Sequence, residues 1–134
     1  MPENGRKLSR LLRVAGMVAG VVLLIIGIRF IAAPRLANWT YGLGREPKVA
    51  ALDAVIGLRD VWLAGLAIAF AAMREWKALA LWLLLGSLVC WGDALIVLAH
   101  DGPWPALAFH ILSGVFCLWV GWRCWRFAAP RDGN

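Results

Sequence analysis

The sequence has no Gly-rich phosphate loop, no HExxH pattern and no credible ordering of Ser, His and Asp. The commonest nucleotide-binding, zinc-hydrolase and serine-hydrolase classes are therefore excluded. Its three cysteines, Cys90, Cys117 and Cys124, form no CxxC pair and lie inside apolar runs. They read as inert buried thiols, with no redox or metal motif behind them. Acidic residues are scarce, eight against fourteen Lys and Arg, for a net charge of +6. Such a balance invites a nucleic-acid reading, but the basic residues sit mostly at the ends of long apolar runs. That is the pattern of a membrane protein whose charge asymmetry sets its topology, and no nucleic-acid partner is expected.

What is present is apolar mass. Hydrophobic residues make up 62% of 134 positions, against roughly 45–50% in a soluble domain. Nine tryptophans add a residue that favours the membrane–water interface. A helix crossing a ~30 Å hydrocarbon core needs about 20 residues, and four runs qualify: about 11–33, 49–73, 78–99 and 104–122. The expected fold is an all-α integral membrane four-helix bundle in one domain, with the bilayer as its first partner. The links are short except for Pro34–Lys48, where Pro and Gly are expected to break any helix. Arg6, Lys7, Arg10 and Arg13 before an apolar stretch resemble a signal peptide. The Ile31-Ala32-Ala33 context is a poor cleavage site and the apolar core is long, so a retained first helix is the better reading.

Lys and Arg counts orient the bundle. The N-tail carries four, the Arg74–Lys77 link two and the C-tail three (Arg123, Arg126, Arg131), against three in the other two links. Nine against three predicts both termini in the cytoplasm of a bacterial cell, with the bundle in the inner membrane.

Some charged residues fall inside the spans. Val61–Met73 is 13 residues, or about 20 Å of helix, too short to cross alone. The second span must therefore include Arg59 and Asp60. Asp93 lies seven residues before His100 in the third span, and His110 six residues beyond Trp104 in the fourth, each roughly 10 Å deep. Arg29 and Asp53 lie near the outer ends of the first and second spans. All fall in the outer half, where a mid-membrane charge costs at least about 2.5–3.5 kcal/mol and such residues are usually paired, inward-facing and functional.

Helical spacing sets stripes: Asp53, Gly57, Asp60, Ala64, Ala67 and Ala71 in the second span, and His110, Gly114, Cys117, Gly121 and Cys124 in the fourth. The third offers Gly86, Cys90, Asp93 and His100, and the first Gly16, Gly20 and Gly27. Small residues on such stripes allow close helix approach. The expectation is a bundle tightly packed at its inner end with a polar chamber at its outer end, and Arg59, offset about 100° from Asp60, free to reach a neighbouring helix.

Two readings stand for each polar group. Arg59 with Asp60 or Asp93 is a structural ion pair, or else Asp60 and Asp93 are acid/base groups with Arg59 as an anchor for an anionic or carbonyl-bearing ligand. His110 is a helix–helix hydrogen bond or a proton relay. A metal needs more convergent ligands than the sequence guarantees, and neither metal nor cofactor is expected. His100 reads as a wet helix end, Arg29 as a snorkelling side chain, and Trp82 and Trp91 as chamber walls. Asp60, Asp93 and His110 are thus the acid/base candidates, and Arg59, Arg29, Asp53, Trp91 and His100 the ligand-binding ones.

The segments IGLRDVWLAGLAI (Ile56–Ile68), GDALIVLAHDG (Gly92–Gly102) and FHILSGV (Phe109–Val115) resemble small bacterial four-helix membrane proteins grouped as domain of unknown function 4267. The resemblance runs from about the first span to the end of the fourth. Its characteristic pieces, the G-x-R-D at Gly57–Asp60, the G-D-A at Gly92–Ala94 and His110, coincide with the residues singled out above. The group is distantly similar to DoxX-like membrane proteins, a fold-level analogy. The resemblance implies the architecture and the site but no reaction.

Three functions compete. The first is a chamber that binds or transforms a small lipophilic molecule such as a quinone, isoprenoid or other lipid-derived compound. The second is an accessory subunit, as a homo-oligomer or with a membrane-protein partner, its charges serving as interhelical ion pairs. The third is proton- or ion-coupled transport, disfavoured because the inner half has no ionisable residue and no span contains a helix-breaking Pro.

Overall fold

The computed structural model describes residues 3–42 and 50–129. Val49, the Pro34–Lys48 segment beyond Gly42, and Arg131 lie outside the described residues. Five helices follow in order: α1 (Glu3–Ala32), α2 (Pro34–Tyr41), α3 (Ala50–Met73), α4 (Trp76–Ala99) and α5 (Trp104–Ala128). Four of them, all but α2, are long and apolar enough to cross a membrane, as hydropathy predicted.

Helices α1 and α5 outrun their expected spans. The 30 residues of α1 make about 45 Å, well beyond a ~30 Å core, so its first two basic turns continue the helix past the apolar segment. At the end of α5, Arg123 lies over Trp119 and Arg126 over Trp122, at 5.8 and 5.5 Å from the ring centroids. These cation–π contacts place cations and indoles together at one end of the bundle.

Pro34–Tyr41 corrects an expectation. The segment is helical because Pro34 stands in the first turn, where its missing N–H costs nothing. Gly42 then ends the helix in the left-handed conformation, φ 85°, its N–H bonding back to Trp39. The same residue types that break a helix from within bracket one here.

The long helices pack mainly as two pairs, α1 with α3 and α4 with α5, and the pairs touch each other much less. The α1–α3 seam is made of the predicted small residues. A Cβ on Gly27 would lie 2.7 Å from the Gly57 carbonyl oxygen, and one on Gly57 2.6 Å from that of Gly27, so the backbones touch. This closest approach lies in the half that contains Arg59 and Asp60. Tight small-residue packing, expected at the opposite end and present there at Gly16, Gly20 and Ala71, thus extends into this half as well. At the opposite end, Leu12, Leu79, Leu83 and Val120 join Ala71, Ala80 and Cys124 in a core shared by all four long helices.

All six residues of the predicted α3 stripe are buried, and so are all of the α5 stripe except half-buried Cys117. The α4 stripe is corrected. Leu79, Ala80, Leu83, Ser87, Ala94 and Val97 are buried, while Gly86, Cys90 and Asp93 sit at the margin and His100 is exposed. The inward face of α4 is thus turned about a quarter of a revolution from the predicted one, which leaves Asp93 at the edge of the core.

Candidate functional site

The end of the bundle capped by α2 holds its polar side chains in two layers. In the layer nearer α2, Asn38 Nδ2 donates to Asp53 Oδ1 at 3.0 Å, with both residues 6% exposed. Asp53 Oδ2 has no partner among the described residues. Arg29 Nη2 donates to Thr40 Oγ1 at 2.9 Å, and Thr40 Oγ1 in turn donates to the Leu36 carbonyl at 2.7 Å. Arg29 and Asp53 thus dock α2 onto α1 and α3, and neither reaches the deeper layer.

That layer is organised by Tyr41, the last residue of α2. Its ring packs edge-on against Phe30, Phe109 and His110, with centroids 5.4, 6.0 and 4.8 Å apart. The His110 Nε2 atom lies 3.4 Å from the Tyr41 carbonyl oxygen. Since a carbonyl can only accept, Nε2 carries the proton in this contact. The opposite nitrogen, Nδ1, stands 3.8 Å from Asp93 Oδ2. The pair sets a partly exposed carboxylate beside a sealed imidazole.

Arg59 does not reach another helix. Its Nε and Nη2 atoms both donate to Asp60 Oδ1, at 3.3 and 3.2 Å, so of its two expected partners Arg59 pairs with Asp60, its sequence neighbour, rather than with Asp93. The flexible arginine stem folds back across the offset between adjacent helix positions. The Arg59 side chain stays 60% exposed while that of Asp60 is 8% exposed. The Asp60 and Asp93 carboxylates are close enough to act on one another and on the Tyr41 phenol. Burial first, and then these two negative charges, push the phenol well above its ordinary pKa. Tyr41 is therefore a neutral O–H donor at any physiological pH.

Asp60, Asp93, His110 and Arg59 are thus gathered as expected. The other candidates are not. His100 is exposed, with its Nδ1 2.9 Å from the Ile96 carbonyl of its own helix. Trp91 lies on the opposite flank of α4 from Asp93, exposed, with its Nε1 3.2 Å from where a Gly114 Cβ would stand; it covers the edge of the α4–α5 seam. Trp82 packs against the core of the far half, its Nε1 without a partner among the described residues. Tyr41 and Asn38 were not anticipated. Tyr41 is the chain's single tyrosine, seven residues after a proline and directly before a glycine, a helix-start and helix-stop spacing that could have revealed α2. Among the described residues no group of three His, Cys, Asp or Glu could hold a metal ion.

The chain belongs to the family described as domain of unknown function (DUF4267), which matches residues 20–124. The matched stretch contains every residue of both polar layers. No curated protein and no solved structure matches the chain, so the expected likeness to DoxX-like proteins has no match behind it.

Proposed function

We propose that this family member is a bacterial inner-membrane protein, termini in the cytoplasm and α2 at the outer face, that binds and protonates or deprotonates a small lipophilic molecule. The orientation rests on the nine-to-three excess of Lys and Arg on the terminal side. The ligand reading rests on one observation above others: the His110 side chain, 2% exposed, stands 3.8 Å from the carboxylate of Asp93, whose side chain is 38% exposed. A buried imidazole beside a partly exposed carboxylate offers acid/base groups to a bound molecule without opening the bundle.

The chemistry available suits a carbonyl or hydroxyl head on an apolar body, such as a quinone or an isoprenoid. The Tyr41 hydroxyl would donate to a carbonyl oxygen, and the Asp93–His110 pair would pass a proton as charge develops there. Arg59 beside Asp60 would hold a partial negative charge in place. The accessory-subunit reading has less support, because Asp93–His110 bridges α4 and α5, which already pack along their length.

Protein purified in mild detergent is extracted with organic solvent and the extract identified by mass spectrometry. An amount of one lipophilic compound comparable to that of the protein is expected, much reduced with Asp93→Asn. Equal recovery of the same compounds from wild type and variant overturns the proposal.

A further inference from the structure

The exposed face of α1 at the terminal end of the bundle carries two adjoining grooves. The first, about 480 Å³, is lined by Arg10, Arg13, Val14, Met17, Val18 and residues one turn on. The second continues it toward the N-terminus past Arg6 and Lys7. The valines along the first groove are exposed, Val14 at 54% and Val18 at 49%. Cations thus crown an apolar stripe on a single helix face.

Three features separate this face from ordinary lipid-facing surface. First, Arg10 and Arg13 have no anionic partner among the described residues, whereas Lys7 is paired with Glu3 at 2.7 Å, and Arg123 and Arg126 lie over indoles of α5. Second, the length fits one leaflet: from Arg13 to Val22 is nine residues, about 14 Å of helix, against about 15 Å for half the hydrocarbon core. Third, a second copy would be a poor occupant. Two α1 faces inserted in the same direction would set one arginine crown against the other.

We infer that this groove is a binding site for one anionic phospholipid, with its phosphate between Arg10 and Arg13 and an acyl chain along Val14–Val22. The site lies at the opposite end of the bundle from the Asp93–His110 pair and does not depend on it. Attraction between basic residues and anionic headgroups is itself general; the assignment here is of a resident lipid at a defined groove.

The full-length protein is reconstituted in nanodiscs of equal parts phosphatidylglycerol and phosphatidylethanolamine, then released and weighed by native mass spectrometry. Wild type is expected to retain one phosphatidylglycerol. The double variant Arg10→Gln, Arg13→Gln is expected to retain it about thirtyfold less, the compounded loss of two headgroup contacts. Val18→Trp, which fills the groove without changing charge, is expected to reduce retention as well, and Arg123→Gln with Arg126→Gln to leave it unchanged. Equal retention of the two lipids by wild type overturns the inference. So does phosphatidylglycerol retention that survives both groove variants, or a dimer peak that takes the place of the lipid-bound monomer and disappears with Val18→Trp.

Discussion

The imidazole of His110 and the carboxylate of Asp93 stand 3.8 Å apart across the α4–α5 seam, the first nearly sealed and the second at the margin of the core. The two helices are already packed together around Gly114 and Gly121, so this pair is not needed to join them. What it adds is a pair of acid/base side chains inside an otherwise apolar seam. His110→Ala removes a buried ring from contact with Tyr41 and Phe109 and leaves a void. It is expected to lower unfolding free energy by about 2–4 kcal/mol, measured by reversible denaturation in detergent. His110→Gln, which keeps a donor for the Tyr41 carbonyl, should cost less.

The contact of Gly27 with Gly57 makes a second prediction. Gly57→Ala forces a Cβ against backbone and is expected to destabilise the α1–α3 pair by about 1–3 kcal/mol. Gly65, on the same helix, has nothing within 4 Å of an added Cβ. There, Gly65→Ala is expected to stabilise by about 0.5–1 kcal/mol through helix propensity alone. Thermal melts of the two variants should move in opposite directions.

Docking of α2 depends on Asn38. Asn38→Leu leaves Asp53 buried without the one partner it has among the described residues, at a cost of about 1–3 kcal/mol. Faster proteolysis after Ala33 should report the loss of docking. Adding Asp53→Leu removes the stranded carboxylate and should recover much of the stability.

Tyr41 offers a spectroscopic test, being the chain's one tyrosine. Burial and the Asp60 and Asp93 charges hold its phenol above the ordinary value, which is about 10. A pKa raised by folding means that its contribution to stability is whole below pH ~10 and is lost as the pH climbs through the folded value. Tyrosinate absorbance of the folded protein should therefore be absent at pH ~10 and appear at that pH once the protein is denatured. Tyr41→Phe should flatten the alkaline loss of stability.

The four spans were legible in the sequence because an uninterrupted apolar run of about 20 residues is hard to house anywhere but in a bilayer. The α3 stripe was legible because Asp53, Gly57, Asp60, Ala64, Ala67 and Ala71 are all small or charged, and neither kind gains by facing lipid. On α4 the rule failed: its true inward face includes Leu79, Leu83 and Val97. Leucine and valine are equally at home against lipid and protein, so composition cannot choose between those faces. Tyr41 escaped notice for another reason. Its role comes from α2 folding back over the bundle, a tertiary event that no local pattern of polar residues records.

Whether the cluster of Tyr41, Asp60, Asp93 and His110 receives a lipophilic molecule is decided by a photoreactive side chain at Ile96, one turn from Asp93 and 48% exposed. Irradiated in cells, the protein should gain the mass of one discrete small lipophilic compound, and Asp93→Asn or Tyr41→Phe should abolish the adduct. Adducts only to bulk phospholipid or to another protein, unchanged by those substitutions, would rule out a ligand site at this cluster.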